Sequence, residues 1–144
     1  MKTFLLRNED VVRKWYHVDA SDKVLGRLAV KIARTLMNKE DPRWTPSTDS
    51  GHFVVVTNAA KVQVTGTKAS KKVYRRHTGY VGGLVEEKYD DILQSNPERI
   101  IEQAVKRMLP KTRQGRAMFK RLKVFPGAEH DHAAQQPEPF PLEV

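Results

Sequence analysis

Apolar residues spaced three and four positions apart predict the first long helix of the chain. Basic side chains between them fall on the opposite face, as in an amphipathic helix packed on a core. The small polar residues at 19–22 are expected to cap this helix, and Asp41-Pro42 is expected to end it. The apolar stripe consists of Leu25, Leu28, Ala29, Ile32, Ala33 and Leu36.

Short runs rich in β-branched and aromatic residues predict the strands. Residues 15–18 form one, and the continuous apolar run at 53–56 suits a strand buried on both faces. Residues 61–65 alternate and predict a less buried strand, and residues 122–125 predict a final one. Because strands alternate with helices, the pattern favours an α/β layer fold with a mainly parallel sheet.

A second helix is indicated by Asn96-Pro97-Glu98, with Asn at the cap, Pro at the first helical position and a carboxylate near the positive end of the helix dipole. Pro110 is expected to end it. Residues 86–93 suit a short helix, and residues 116–121 suit one or two further turns. The proline-rich segment that begins at residue 126 predicts an extended tail.

Two basic segments of the chain indicate its function. Lys68 to Tyr80 contains five Lys or Arg residues and two Tyr residues, and predicts a loop that grips phosphates. Lys106 to Lys123 contains eight Lys or Arg residues and no Asp or Glu. With a net charge of +9, this distribution indicates nucleic acid as the partner, ahead of an anionic membrane surface.

Composition excludes several classes of protein. With 144 residues, the chain is expected to be one domain, 1–144, with an N-terminal arm at 1–14 and a tail at 126–144. No apolar run approaches the roughly 18 residues of a spanning helix, and residues 1–7 are too short for a signal peptide. The absence of cysteine excludes disulfides and thiolate chemistry. We expect a cytoplasmic protein.

Motifs for catalysis or cofactor binding are incomplete. Residues 65–68 lack the earlier glycine and the Gly-Lys pair of a phosphate-binding loop, and Gly26 stands alone where a dinucleotide fold has three glycines. Close helix packing is the role expected of Gly26. Residues 49–52 predict a hydrogen-bonded turn rather than a catalytic triad. His130 and His132 are expected to be solvated or to contact a partner rather than to bind a metal. We predict no metal, cofactor or small-molecule substrate.

The basic loop has two interpretations, and RNA contact is favoured over a solvated charged face. Apart from Tyr74, every ionisable side chain from residue 68 to residue 77 is basic, whereas a solvated face normally mixes both signs. Tyr74, His77 and Tyr80 are candidates for stacking on unpaired bases. A core-packing role for Tyr74 has equal weight. The basic residues of the first helix are interpreted as solvated surface.

Several short motifs follow one another along almost the whole chain. They include Trp15-Tyr16, Leu25-Gly26-Arg27-Leu28-Ala29, Val64-Thr65-Gly66-Thr67-Lys68, His77-Thr78-Gly79, Met108-Leu109-Pro110-Lys111, Gly115-Arg116-Ala117-Met118 and His132-Ala133-Ala134-Gln135-Gln136-Pro137. In this order and spacing they resemble the bacterial form of the large-subunit ribosomal protein thirteen family. The resemblance implies a three-layer α/β/α fold with a four-stranded, mainly parallel sheet. It also implies no catalytic activity.

The resemblance implies binding to large-subunit ribosomal RNA beside neighbouring ribosomal proteins, and a role early in subunit assembly. Together with the charge pattern, it yields a set of RNA-binding candidates made of basic, aromatic and glycine positions. They are Lys68, Lys71, Lys72, Tyr74, Arg75, Arg76, His77, Gly79, Tyr80, Gly82, Gly83, Lys111, Arg113, Gly115, Arg116, Lys120, Arg121 and Lys123. Two rival hypotheses are a nucleotide-using α/β enzyme, based on the strand-turn-helix at 15–36, and an RNA-binding regulator outside the ribosome.

Overall fold

The computed structural model describes residues 4–141. Helices and strands alternate along most of this range, and short 3-10 turns occur at Asn8–Asp10, Ala59–Lys61 and Ala133–Gln135. In chain order the elements are β1 (Trp15–Asp19), α1 (Leu25–Met37), β2 (Phe53–Thr57), α2 (Lys68–Lys71), β3 (Val73–His77), β4 (Leu84–Lys88), α3 (Tyr89–Ser95), α4 (Glu98–Met108), α5 (Arg113–Lys120), β5 (Leu122–Val124) and β6 (Glu138–Pro139).

Four parallel strands form the main sheet in the order β5-β2-β1-β6. The register pairs Tyr16 with Val54 and Val18 with Val56, and β2 continues the sheet by pairing Val54 with Leu122. Parallel neighbours need a crossover connection, and α1 provides the one between β1 and β2. The predicted four-stranded parallel sheet is therefore confirmed.

One face of the sheet carries the main hydrophobic core. Val54 and Val56 are completely buried there, and the stripe of α1 meets them with Leu28 and Ile32, which are also completely buried. Helix α4 packs against α1 and contributes Ile101 to the same core. The predicted apolar stripe of the first helix is confirmed, because its residues are buried in this core. Removal of their apolar surface from water is what holds the helix in place.

The C-terminal segment covers the other face of the sheet. The ring of Trp15 stacks on Phe53 with 4.3 Å between centroids, and His132 lies 5.2 Å from Trp15. His130 lies 5.4 Å from His17, the ring two positions further along β1. Val55 is completely buried on this side. The sheet therefore has a helical layer on one face and the C-terminal segment, with its 3-10 turn at Ala133–Gln135, on the other, which is consistent with the expected three-layer α/β/α arrangement.

The segment predicted as an extended tail is therefore part of the sheet architecture. Its residues Glu138–Pro139 pair with β1, and the N–H of Phe140 donates to the carbonyl of His17 at 3.0 Å. Proline is tolerated at this position because an edge strand needs to satisfy only one side.

The ends of the helices differ from the sequence prediction. Helix α1 ends at Met37, before Asp41-Pro42, because Asn38 adopts a left-handed conformation with φ 55° and ends the helical run. No side chain from residues 19–22 caps α1; Asp19 instead accepts a hydrogen bond from the N–H of Ser21. Pro97 precedes α4 as its N-cap, and Asn96 makes no side-chain cap.

Residues 61–95 depart most from the prediction. The predicted strand at 61–65 is wrong: only Gln63 forms a bridge there, with Val24. The predicted basic loop is wrong as well, because it folds into α2 and β3. Strand β3 pairs antiparallel with β4, so the single helix predicted at 86–93 is in fact the end of a strand followed by α3.

Candidate nucleic-acid interface

The first basic segment presents its lysines on α2 and at the turn into β3. Lys68 and Lys71 are exposed. Lys72 is half-buried, and its ammonium lies over the ring of Tyr74 at 5.0 Å from the centroid. Partial burial lowers the pKa of Lys72, and the nearby positive charge of Arg107 adds to this effect. A phosphate would relieve that repulsion, so the site is electrostatically suited to an anion.

Tyr74 is a core residue and has no free ring face for base stacking. Its side chain is 6% exposed and belongs to the main hydrophobic cluster. Burial raises the pKa of the Tyr74 hydroxyl, and this hydroxyl has no hydrogen-bond partner within residues 4–141. Of the two interpretations that the sequence left open for Tyr74, the structure shows core packing.

The β3–β4 hairpin gives the arginines an acidic neighbour. Arg75 forms an ion pair with Glu86 on the opposite strand at 2.5 Å. Arg76, the next residue, is exposed. The sequence shows no acid between residues 68 and 77, but the antiparallel pairing brings one from β4. The hairpin is therefore less positive than its own strand sequence indicates.

The tip of the hairpin combines glycines with an exposed aromatic ring. Gly79 and Gly82 have φ values of 96° and 74°, in the left-handed region that favours glycine. At Gly83 a Cβ would lie 2.0 Å from Thr78 Oγ1, so this glycine allows a tight turn. Tyr80 is 80% exposed and is free to stack on a base. His77 accepts a hydrogen bond from the N–H of Gly79 through Nδ1 at 2.9 Å.

The second basic segment surrounds α5, and its members differ in exposure. Lys111, Arg113, Arg116 and Lys120 are exposed. Gly115 is buried, and a Cβ there would lie 1.8 Å from the carbonyl oxygen of Pro110. This glycine lets α5 approach the preceding loop. Because Gly115 is buried, it presents little surface for the predicted RNA contact.

Arg121 is buried, and its partners come from within the chain. Its side chain donates to Asp49 Oδ1 at 2.7 Å and to the carbonyl of Leu36 at 3.0 Å. A third bond goes to the carbonyl of His52 at 3.3 Å. Arg121, which the sequence analysis counted among the RNA-binding candidates, is only 5% exposed, and its hydrogen bonds tie α1, the turn before β2 and the end of α5 together. Lys123, in β5, is half-buried.

A chain of adjoining grooves connects the two basic segments. The first, of about 480 Å³, contains Lys68, Lys72 and Arg107. The second, of about 530 Å³, shares Arg107 and continues to Lys106 and Lys111. The third, of about 430 Å³, shares Lys106 and Lys111. We call this surface the basic track; its cations are Arg27, Lys68, Lys71, Lys72, Arg99, Lys106, Arg107, Lys111, Arg116 and Lys120.

Comparison with known proteins identifies the family of this chain. The family described as Ribosomal protein L13 matches residues 13–131. The chain belongs to this family. A protein named large ribosomal subunit protein uL13 from Chromohalobacter salexigens is 57% identical over 95% of this chain and 96% of the relative. The large ribosomal subunit protein uL13 from Thermotoga petrophila is 55% identical over 98% of this chain and 95% of the relative.

Ribosomal protein L13 family members are structural constituents of the ribosome rather than enzymes. Two further findings concern residues 4–141 of this chain. Its helices are too short or too polar to cross a bilayer. Within residues 4–141, no three metal-ligating side chains come together in a cluster.

Sequence reasoning missed the cations that join the two segments. Lys106 and Arg107 were counted in the second basic segment but were not chosen as site residues, and Arg27 was left as solvated surface. All three line the grooves. The helical periodicity of α4 contained the signal, because its apolar stripe, continued by Val105 and Leu109, leaves positions 106 and 107 on the exposed face.

Proposed function

We propose that this chain binds large-subunit ribosomal RNA through the basic track. In this proposal it acts in the cytoplasm as a structural constituent of the large ribosomal subunit, beside neighbouring ribosomal proteins, and joins the subunit early in assembly. The observation that carries the proposal is the continuity of the track: Lys106 and Arg107, at the start of the second basic segment and the end of α4, line the grooves that connect this segment with Lys68 and Lys72 of the first.

The electrostatics of the track support an external anionic partner. Among residues 4–141, Arg99 is the only cation of the track that forms an ion pair, with Glu87 at 2.8 Å, and the other cations of the track have no Asp or Glu partner. Lys106 lies over the ring of Phe119 at 5.7 Å from its centroid, and this contact leaves its charge uncompensated. Unpaired like charges along one surface repel each other, and a phosphate backbone relieves this repulsion while it releases counterions.

Salt dependence tests the proposal directly. If about five or six phosphates are neutralised, the logarithm of the affinity for a large-subunit ribosomal RNA fragment should fall with the logarithm of salt concentration with a slope near −4 to −5. Filter binding or fluorescence anisotropy across a salt series measures this slope. A slope near zero would contradict phosphate binding by the track.

A matched pair of variants separates the track from the overall charge. The track variant replaces Lys68, Lys71, Lys111 and Arg116 by Gln, and should lower the magnitude of the salt slope by about three to four. The control variant removes the same number of charges elsewhere, at Arg7, Lys31, Lys61 and Lys88. Equal losses in both variants would mean that the charge acts only as a diffuse field.

Sedimentation of a cell lysate tests the place of the protein in the cell. The wild-type chain should migrate with large subunits and their precursors and remain with them at moderate salt, and the track variant should accumulate in a slow free pool. A wild-type chain found mainly in the free pool would favour the regulator or the nucleotide-using enzyme instead.

A further inference from the structure

The third groove of the basic track has a wall of unusual chemistry. It lies between the end of α4 and α5 and has a volume of about 430 Å³. Leu109, Pro110 and Phe119 form its apolar part, and the remaining lining residues are cations and one glycine. Among the described residues of this wall there is no acid and no uncharged hydrogen-bonding side chain. The groove therefore suits a ligand that is both anionic and apolar.

Close packing at Gly115 fixes the shape of this groove. The residue is buried, and a Cβ there would collide with the carbonyl oxygen of Pro110. Thr112 caps α5 by accepting a hydrogen bond from the N–H of Gly115 at 3.2 Å. These contacts hold α5 directly beside the loop that contains Leu109 and Pro110. The apolar wall is therefore formed before a ligand arrives, which lowers the entropic cost of binding.

Phe119 presents one face of its ring to the track. Its side chain is half-buried and packs against the main core, and the ammonium of Lys106 lies over the ring at 5.7 Å from the centroid. Because Lys106 is exposed, the face beneath its ammonium points towards the grooves and not into the core. Phe119 lines both the second and the third groove. A planar group can replace the ammonium over this face.

Four cations line the groove around this ring. Arg116 and Lys120 lie three residues before and one residue after Phe119, so all three side chains belong to one face of α5. Lys106 and Lys111 come from α4 and from the loop that follows it. Among residues 4–141, none of the four cations forms an ion pair with an acid. Their charges are available to the phosphates of a bound strand.

We propose that an unpaired base of an RNA strand stacks on Phe119 in this groove. The phosphates on either side of the base contact Arg116 and Lys120. The base takes the place of the Lys106 ammonium over the ring, and this ammonium moves to a phosphate. Since the wall has no uncharged polar side chain, the contact does not select among the four bases. The inference rests on the proposed function and adds that this end of the track takes single-stranded RNA.

An RNA strand fits this surface better than an acidic protein segment with apolar side chains. The third groove shares Lys106, Lys111 and Phe119 with the second, so the row of cations continues well beyond the ring. A polynucleotide carries a phosphate at every residue and can follow the whole row. An acidic peptide would match only the surroundings of the ring.

Oligonucleotides with and without bases test the stacking directly. A single-stranded RNA octamer of mixed sequence should bind the full chain about fivefold more tightly than an octamer whose central nucleotides are abasic, because the backbone charge is equal and only stacking is lost. Fluorescence anisotropy at one salt concentration measures both affinities. Equal affinities overturn the proposal.

A matched pair of variants assigns the effect to the ring. Phe119→Leu keeps an apolar side chain but removes the ring, and should weaken the intact octamer about fivefold. It should change neither the affinity of the abasic octamer nor the salt slope, because the ring carries no charge. Phe53→Leu removes a ring that stacks on Trp15 at the opposite face of the sheet, and should change none of these quantities.

Thermal unfolding confirms that both variants are folded at the temperature of the binding experiment. A loss of structure at Phe119 would weaken the intact and the abasic octamer alike, whereas loss of stacking weakens only the intact one. Equal effects of Phe119→Leu and Phe53→Leu contradict the assignment to Phe119.

Fluorescence of 2-aminopurine at the centre of the octamer reports the stacked base. It should fall when the wild-type chain binds and should be retained with Phe119→Leu. Fluorescence that falls equally with both proteins places the stacking elsewhere and overturns the proposal.

Competition distinguishes RNA from a protein segment. A peptide of alternating Glu and Leu should not displace the octamer. If the peptide binds in a manner that depends on Phe119 and the octamer does not, the occupant is a protein segment and the RNA proposal is wrong. If RNA binds the track with the expected salt slope but the intact and abasic octamers bind equally, the stacking proposal fails and the proposed function stands.

Discussion

Arg116 and Arg121 belong to the same basic segment, yet the fold gives them opposite surroundings. Arg116 is exposed and lines a groove of the basic track. Arg121 is 5% exposed and bonds to Asp49 and to two backbone carbonyls. In the sequence, both arginines lie in the same run of basic residues with no acid between them. What separates a structural cation from one available to a ligand is whether the chain supplies the partner.

The largest expected effect follows from removing the buried member of this pair. Arg121→Ala leaves Asp49 without its partner and should lower the free energy of unfolding by about 3–5 kcal/mol, the usual cost of breaking a buried ion pair. Arg116→Ala should change it by less than about 0.5 kcal/mol and weaken RNA binding instead. Urea denaturation and RNA affinity are measured on both variants. Equal losses of stability and equal losses of RNA affinity in the two variants would contradict the comparison.

Two helical glycines extend the comparison to packing. Gly115→Ala forces a Cβ against the Pro110 carbonyl and should destabilise the fold by about 1–3 kcal/mol. Gly26→Ala enters open space in a helix and should stabilise it by about 0.5–1 kcal/mol. Thermal unfolding of the two variants measures the difference. Equal melting temperatures would show that Gly115 is not tightly packed.

Two partly buried histidines should make stability depend on pH. Burial lowers the pKa of His17 below its ordinary value of 6.5, and the neighbouring His130 lowers it further, against a smaller opposing effect of Asp19. The pKa of His52 is lowered too, mainly by burial. Since the unfolded chain takes up protons first, the contribution to stability is complete above pH 6.5 and is lost as pH falls towards the lowered values.

Chemical denaturation between pH 7.5 and pH 5 measures this loss. His17→Gln should flatten the pH dependence, and His77→Gln, at an exposed position on the hairpin, should not change it. An unchanged pH profile in His17→Gln would show that His17 does not report docking of the C-terminal segment.

The smallest effect concerns the acid that faces Arg75. Glu86→Gln removes one partner of an exposed ion pair, so stability should change by less than about 1 kcal/mol. It also frees Arg75 for phosphate, so RNA affinity at low salt should rise by roughly the effect of one added contact. Glu129→Gln, an exposed acid in the C-terminal segment, is the control for net charge. Equal gains in both variants would show that Arg75 does not contact RNA.

Periodic apolar patterns predicted the part of the fold that depends on burial. The stripe of α1 and the apolar run of β2 were placed correctly, because each has a single way to remove its surface from water. The hairpin was missed because its strands are mostly exposed and charged, so they lack the apolar pattern that marks a buried strand. Their pairing depends on backbone hydrogen bonds, which the residue types do not reveal. No periodicity along residues 73–77 shows that residues 84–88 lie opposite them.

The interface was predicted as two separate segments but not as a surface. Composition identified Lys68 and Lys111 correctly as exposed cations, yet joining them required the orientation of α4. Composition does not reveal burial, so it did not distinguish Arg121 and Tyr74, which are buried, from the exposed side chains beside them. Asp49, the partner of Arg121, is far from it in sequence, and only the tertiary fold brings the two together.

Strand β6 has a consequence for the order of events during synthesis. Its residue Glu138 pairs with Tyr16, so one edge of β1 stays uncovered until almost the whole described chain has left the ribosome that makes it. An uncovered edge can pair with a neighbouring chain. The nascent protein therefore passes through a stage in which its longest-range contact is missing and chaperone protection is most useful. Docking of the C-terminal segment marks the end of that vulnerable period.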